Sequence, residues 1–130
     1  MAMNPYDFNK QMLKDFSYFT VSEFKCNCRK CRYNANPDYL NAKLLTYLEQ
    51  MREHFGKPCI VTSGLRCRKY NRSLVGSAKN SRHLSGHAAD VYIKGVSPAE
   101  ICDYWKKLKV GYCYYGTKNM GNAAHVQIGW

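Results

Sequence analysis

Every apolar run in this chain is short, and that limits what it can fold into more than any other feature. The runs that read as strands are Cys59-Ile60-Val61-Thr62, Ala88 to Ile93, Val110 to Tyr115 and Ala124 to Gly129. None approaches the roughly 18 to 20 residues that a membrane-spanning helix needs. Two helix signals accompany them, one ahead of the first run and one between the second and third. Asn36 suits an N-cap and Pro37 the first helical position, and Leu40, Leu44, Leu45, Leu48 and Met51 follow at helical spacing, with Gly56 able to end the helix in a left-handed turn. Ser97-Pro98-Ala99-Glu100 is a capping box with proline at the first helical position, which predicts a helix to about Leu108. The polar stretch from Ser63 to Gly86 is too irregular for one element, with room for a short helix near Tyr70 to Leu74. Residues Gly116 to Gly121 form a turn that closes the last two strands into a hairpin. The order helix, strand, loop, strand, helix, hairpin predicts an α+β fold: one small domain over residues 1–130, its helices packed on a small, mainly antiparallel sheet.

Length and composition agree with that picture. A chain of 130 residues can bury a core without covalent staples, and 45% apolar and 14% aromatic content argue against disorder. Lys and Arg number 20 against 9 Asp and Glu, a formal charge of +11, dispersed apart from modest clusters at Arg66 to Lys69 and Lys106 to Lys109. Such a field draws a protein to polyanions: nucleic acid, acidic lipid or the phosphate-bearing polymers of a bacterial wall. A merely soluble basic surface is the plain alternative. The dispersion of the basic residues, with aromatics in predicted strands and helices, argues against specific nucleic-acid binding.

Seven cysteines leave at least one outside any intrachain disulfide. The first residues, MAMNPYDFNKQMLKDF, lack the apolar core of a secretory signal, so synthesis in a reducing cytoplasm is expected, with most cysteines as thiols or metal ligands. Cys59, Cys102 and Cys113 sit in apolar surroundings and read as core. Cys26, Cys28 and Cys31, spaced Cys-x-Cys-x-x-Cys, could hold a structural zinc with Cys67 as fourth ligand; a disulfide or reduced surface thiols are the open alternatives.

Three of four histidines fall in the second half of the chain. His83 and Asp90 are too far apart on a continuous helix, about 10 Å, to share an ion. Gly86 breaks the run, so a loop can present His83 while the following strand presents Asp90. A carboxylate opening an apolar strand is costly unless a cation or donors meet it. His125, inside Ala124-His125-Val126-Gln127-Ile128, is the candidate third ligand on a neighbouring strand. Two imidazoles and a carboxylate are a donor set for zinc with one position left open.

Ser81-x-His83-x-x-Gly86-x-Ala88-x-Asp90 resembles the motif S-x-H-x-x-G-x-A-x-D of the zinc D-alanyl-D-alanine peptidases. That group takes in D,D-carboxypeptidases, D-Ala-D-Ala dipeptidases and phage L-alanyl-D-glutamate endolysins, and shares its fold with the hedgehog signalling domain. Thr62-Ser63-Gly64-Leu65-Arg66 resembles the family's strand-end S-G-x-R. Tyr70-Asn71, Val75-Gly76, Ala78-Lys79-Asn80-Ser81 and the opening Phe24-Lys25-Cys26-x-Cys28-x-x-Cys31 resemble its compact, often phage-borne branch. The resemblance runs from about Phe19 to Gly129, leaving residues 1–18 as an N-terminal extension.

The resemblance implies a hydrolase: a zinc metallopeptidase with His83, Asp90 and His125 as metal ligands, cutting a peptide bond of the peptidoglycan stem with zinc-activated water. D,D-carboxypeptidase and endolysin-type endopeptidase activity both remain open. Arg66 would stabilise the oxyanion, and Ser81, Arg66 and Gln127 would face the substrate. The implied setting is a monomer of phage or prophage origin, made without a signal peptide and reaching the cell wall after release, where anionic wall polymers would attract its charge. One departure stands out. The general-base carboxylate of several branches, three residues before the last zinc histidine, is Asn122 here, and the Asp that the compact branch carries two residues after that histidine is Gln127. An amide cannot take a proton from water, and beyond Asp103 the chain has no Asp or Glu. His87 is the local substitute beside Asn122; the alternative is a catalytically impaired zinc-containing binding module of the same fold.

Overall fold

The computed structural model describes residues 4–31, 33, 39–74, 77, 81–117 and 120–129. In chain order these form helix α1 (Pro5–Met12), a 3-10 turn (Val21–Phe24), α2 (Ala42–Phe55), β1 (Cys59–Ser63), α3 (Arg68–Ser73), a second 3-10 turn (Arg82–Ser85), β2 (Ala88–Ile93), α4 (Pro98–Leu108), β3 (Gly111–Tyr115) and β4 (Ala124–Ile128). The four strands make one sheet in the order β1-β2-β4-β3, antiparallel throughout. The expected α+β architecture is therefore the observed one.

Strand alternation divides the sheet into two faces. Ala89 pairs with Val126 and Val91 with Ala124, while Cys113 pairs with Val126. These residues, with Ile93 and Ile128, join one buried cluster with Leu44, Leu45, Leu48 and Met51 of α2 and Ile101 and Trp105 of α4. The opposite face carries Asp90 paired with His125, and Tyr114 beside His125 on the next strand. One face thus holds the helices and the other the polar groups.

The helices follow from their sequences. Leu44, Leu45, Leu48 and Met51 fall on one stripe of α2, and Gly56 ends it at φ 64°. In α4 the Ser97 side chain accepts from the Glu100 N–H and Glu100 reaches back to the Ser97 N–H, as the capping box predicts. Trp105, fully buried, donates its indole N–H to the Gln127 carbonyl at 2.9 Å and so ties α4 to β4.

Two expectations change. The long helix begins at Ala42 with Asn41 as its cap; the expected start at Asn36 and Pro37 lies outside the described residues. The cause is tertiary. Asn9 of α1 donates to the Leu40 carbonyl at 2.8 Å and accepts from the Ala42 N–H at 2.7 Å, while the Asn41 N–H donates to the Gly86 carbonyl. Asn41 is held extended among these partners, which no helical period encodes. The second change concerns two buried cysteines expected as thiols: Cys102 and Cys113 form a disulfide, because α4 lies on β3 with their Cα atoms 5.4 Å apart. Cys59 is buried and outside any disulfide. No helix among the described residues is long and apolar enough to cross a membrane.

Gly86 sits at φ 76°, and a Cβ there would lie 2.6 Å from the Tyr39 carbonyl oxygen. Gly56 has a similar φ of 64° but open space around it. Gly56→Ala is expected to cost about 1 kcal/mol, the ordinary strain of a left-handed alanine. Gly86→Ala should cost about 2 to 3 kcal/mol, because strain and steric overlap combine. Urea denaturation of both variants checks this; equal losses would show that the approach of residues 39–41 does not constrain Gly86.

Candidate metal centre

Asp90 enters the sheet at a β-bulge. Between Val61 and Ser63 the β1–β2 register shifts, so Val61 faces Val91 while Ser63, one residue further than regular pairing allows, faces Asp90. The extra residue, Thr62, bonds the Asp90 carbonyl through its hydroxyl. The chain then turns through Gly64, whose backbone passes so close to Phe24 that a Cβ would lie 2.7 Å from the Phe24 Cα. Leu65 donates its N–H to the Phe24 carbonyl at 2.8 Å, and Arg66 follows, buried.

His83 comes from the 3-10 turn above this face. The Ser81 hydroxyl caps that turn by accepting from the His83 N–H, and the His83 carbonyl accepts from the Arg66 N–H. The ring is only 1% exposed. Its Nδ1 lies 2.7 Å from the Gly64 carbonyl oxygen, which can only accept, so Nδ1 carries the proton and Nε2 a lone pair. Burial holds the His83 pKa below its ordinary value, which keeps the ring neutral. His125 mirrors it: Nε2 donates to the Gln127 amide oxygen at 2.8 Å, which leaves Nδ1 as the nitrogen that faces the centre.

These bare nitrogens face each other and one carboxylate oxygen. His83 Nε2 is 3.2 Å from His125 Nδ1, and Asp90 Oδ1 is 3.2 Å from the first and 3.0 Å from the second. Ligand atoms about 2 Å from one tetrahedral ion sit about 3.3 Å apart, so the triangle has the size of a metal's coordination face. Three converging lone pairs with no proton between them repel unless a cation stands among them. The donor set fits zinc, and His83, Asp90 and His125 could hold it.

The other carboxylate oxygen, Oδ2, accepts from Arg66 Nη2 at 3.0 Å. Arg66 Nε donates to the Ser63 hydroxyl at 3.0 Å and Nη1 to the Asn71 side-chain oxygen at 3.2 Å.

The remaining sequence candidates are placed as follows. His87 turns its Nδ1 to the Ser85 hydroxyl and its Nε2 to the Asn41 amide, outside the cluster of His83, Asp90 and His125, and burial lowers its pKa. Asn122 is exposed in the turn before β4. Gln127 is half-buried against His125. Cys26, Cys28, Cys31 and Cys67 come together as a second group. Val75, Gly76 and Ala78 to Asn80 lie outside the described residues.

Sequence reading missed three neighbours. Tyr114 stacks on His125 with ring centroids 4.4 Å apart and planes at 19°, and burial raises its pKa, which keeps the phenol protonated. Its signal was available, since Tyr114 is directly opposite His125 once the hairpin register is known. Asn71, 1% exposed in α3, and Ser63 hold Arg66; both stand in the motifs quoted from the sequence, which gave them no role.

No curated protein sequence matches the chain. Among solved structures, the Serratia marcescens L-Ala D-Glu endopeptidase ChiX is similar, with a TM-score of 0.47 and 22% identity, over 87% of this chain and 96% of that one. The sequence pattern described as Peptidase M15 matches residues 17–127, a span that contains every member of the His–Asp–His cluster and the Arg66 that backs it. By that match the chain belongs to the peptidase M15 family, and is a hydrolase of the peptidase class.

Proposed function

We propose that this chain is a zinc-dependent peptidase acting on the peptide stems of bacterial peptidoglycan. The observation that carries the reading is the convergence of His83 Nε2, Asp90 Oδ1 and His125 Nδ1 with no proton left to share. Zinc, when bound, supplies Lewis acidity towards a peptide carbonyl and towards water.

The chain's own residues supply orientation and charge. Arg66 engages Ser63, Asn71 and Asp90 through three of the five N–H donors of a guanidinium, and the others suit an oxyanion on the attacked carbonyl. The Ser81 hydroxyl accepts from His83 and has its own proton to give a substrate carboxylate or carbonyl. Gln127 takes a positioning role, fixing the His125 tautomer rather than meeting substrate. The substrate class rests on the resemblance of Ser81 to Asp90 and of Ser63 to Arg66 to the D-alanyl-D-alanine peptidases. A charge of +11 also suits an anionic wall. Whether a terminal or an internal stem bond is cut, and release in a phage setting, belong to this proposal.

A second reading has its own observation: five of the nine carboxylates are employed in caps and backbone contacts away from the centre. Glu49 accepts from the backbone of Ser17 and Tyr18, Glu53 from the Tyr18 hydroxyl, Glu23 and Glu100 complete capping boxes, and Asp7 pairs with the Asn4 cap. A zinc-containing binding module that has lost its base would look like this.

Incubation of the zinc-loaded protein with defined stem peptides, with products read by mass spectrometry, separates the two. Cleavage is expected, and His83→Ala should abolish both it and zinc binding at this site. Zinc bound at His83 with every stem peptide intact would leave the binding module. Asn122→Asp is expected to raise turnover by roughly 10²- to 10⁴-fold, the contribution typical of a general base; a wild type that is already fast and is slowed by this change would place the base elsewhere, with His87→Ala the next variant. Gln127→Ala, which removes the anchor of His125 Nε2, should weaken zinc affinity by roughly 10- to 100-fold without unfolding the chain, as competition with a chromogenic chelator will read.

A further inference from the structure

Outside the His–Asp–His centre, the bend after the first 3-10 turn and the start of α3 bring four thiols together. Cys26 follows the 3-10 turn that ends in the buried Phe24, Cys28 and Cys31 lie on the next bend, and Cys67 caps α3 from the other side. Their sulfur atoms all lie within 4.8 Å of one another, with Cys26 Sγ 3.4 Å and Cys67 Sγ 3.9 Å from Cys28 Sγ. Sulfurs on one tetrahedral zinc, each about 2.3 Å from the metal, are about 3.8 Å apart. None of the four is in a disulfide.

We propose that Cys26, Cys28, Cys31 and Cys67 bind one structural zinc ion, separate from the His–Asp–His centre, and that this ion holds Arg66 in place behind Asp90. Thiolate ligands need donors around them, and the backbone provides them. The Cys67 N–H points at Cys26 Sγ, the Lys30 N–H at Cys28 Sγ and the Tyr70 N–H at Cys67 Sγ, each at 3.4 Å. The bend that makes this possible is strained: Arg29 sits at φ 61°, with its N–H on the Cys26 carbonyl. Four thiolates around a divalent ion form a dianion, and Lys25, Arg29, Lys30, Arg66 and Arg68 adjoin the ligands in sequence. Four soft sulfur donors with no oxygen or imidazole select zinc over hard cations.

The ion's consequence for the other site is geometric. Cys67 follows Arg66 directly, and α3, which Cys67 caps, contributes the Asn71 that accepts from Arg66 Nη1. Leu65 is already pinned to Phe24, two residues before Cys26. A zinc joining Cys67 to Cys26, Cys28 and Cys31 therefore closes a loop around Arg66, fixing both the backbone that carries it and the helix that receives it.

Metal analysis of the full chain, purified under reducing conditions with zinc, tests this together with single variants at each site. The expected contents are about two zinc per chain in the wild type and about one in His83→Ala and in Cys28→Ser, with the double variant empty. A mercurial should release one equivalent from the wild type and lower its Tm. Cobalt substitution should add the intense thiolate-to-cobalt absorption of a four-sulfur site, in His83→Ala as in wild type, which reads the site even if Cys28→Ser fails to fold. A single zinc lost in His83→Ala and kept in Cys28→Ser overturns the thiolate site while leaving the peptidase centre standing; the converse leaves the thiolate site and removes the other. Alkylation of all four thiols in the native protein without metal loss, a disulfide among them, or iron in place of zinc would each overturn the proposal.

Discussion

Asp90 sits on a strand between the buried Ala89 and Val91, where a carboxylate with no partners costs several kcal/mol. The fold meets that cost by dividing the two oxygens. Oδ1 faces the lone pairs of His83 and His125, an arrangement that calls for a cation, and Oδ2 faces the fixed charge of Arg66. Neither half suffices alone. Without Arg66 a metal would meet a carboxylate free to rotate. Without a cation at Oδ1 two imidazole lone pairs and an anion would be forced within 3.2 Å of one another.

The rest of the site is arranged to keep that division. Arg66 is oriented by Ser63 and Asn71, one supplied by a bulge and the other by a short helix. The bulge also lets Gly64 carry its carbonyl to His83 Nδ1, which sets the tautomer that frees Nε2. Removing the bulge would turn Ser63 to the other face and unfasten both residues at once. Period-two alternation then lets the same strands serve two purposes. Val91, Ala124 and Val126 lock β2 and β4 into the core, and Asp90 and His125, one residue along each strand, inherit that rigidity on the opposite face.

Most of this frame was legible. The β2 and α4 boundaries follow from composition and capping, and the observed elements match them residue for residue. The grouping of His83, Asp90 and His125 was also legible, because Gly86 separates a loop from a strand and few imidazoles were available. The start of α2 was not. Its cap depends on Asn9, more than thirty residues upstream, and on the Gly86 carbonyl, contacts between segments that local propensity cannot see. The Cys102–Cys113 disulfide was hidden for the same reason, since each cysteine alone looks like an ordinary small core residue. Arg66 illustrates a subtler limit. Its charge and position in the S-G-x-R pattern suggest a residue that meets substrate, whereas three of its donors are turned to Ser63, Asn71 and Asp90. A short helix near Asn71 was expected, but the bulge at Ser63 and the docking of that helix on Arg66 are set by contacts that local sequence does not encode.

The three converging groups are not held with equal firmness. Asp90 and His125 lie on paired central strands of the sheet, fixed by the ladder and by the core beneath it. His83 stands on a single 3-10 turn, and such turns have poorer hydrogen-bond geometry than an α-helix. Its position depends on three contacts: the Ser81 hydroxyl on its N–H, the Gly64 carbonyl on its ring, and the Arg66 N–H on its carbonyl. Two of those three run back to the segment 64–66, the segment that also carries the ion pair to Asp90. Displacement of that segment would therefore loosen His83 and unbalance Asp90 together. The order in this centre flows from the chain between Ser63 and Arg66, and its weakest link is the 3-10 turn rather than the sheet.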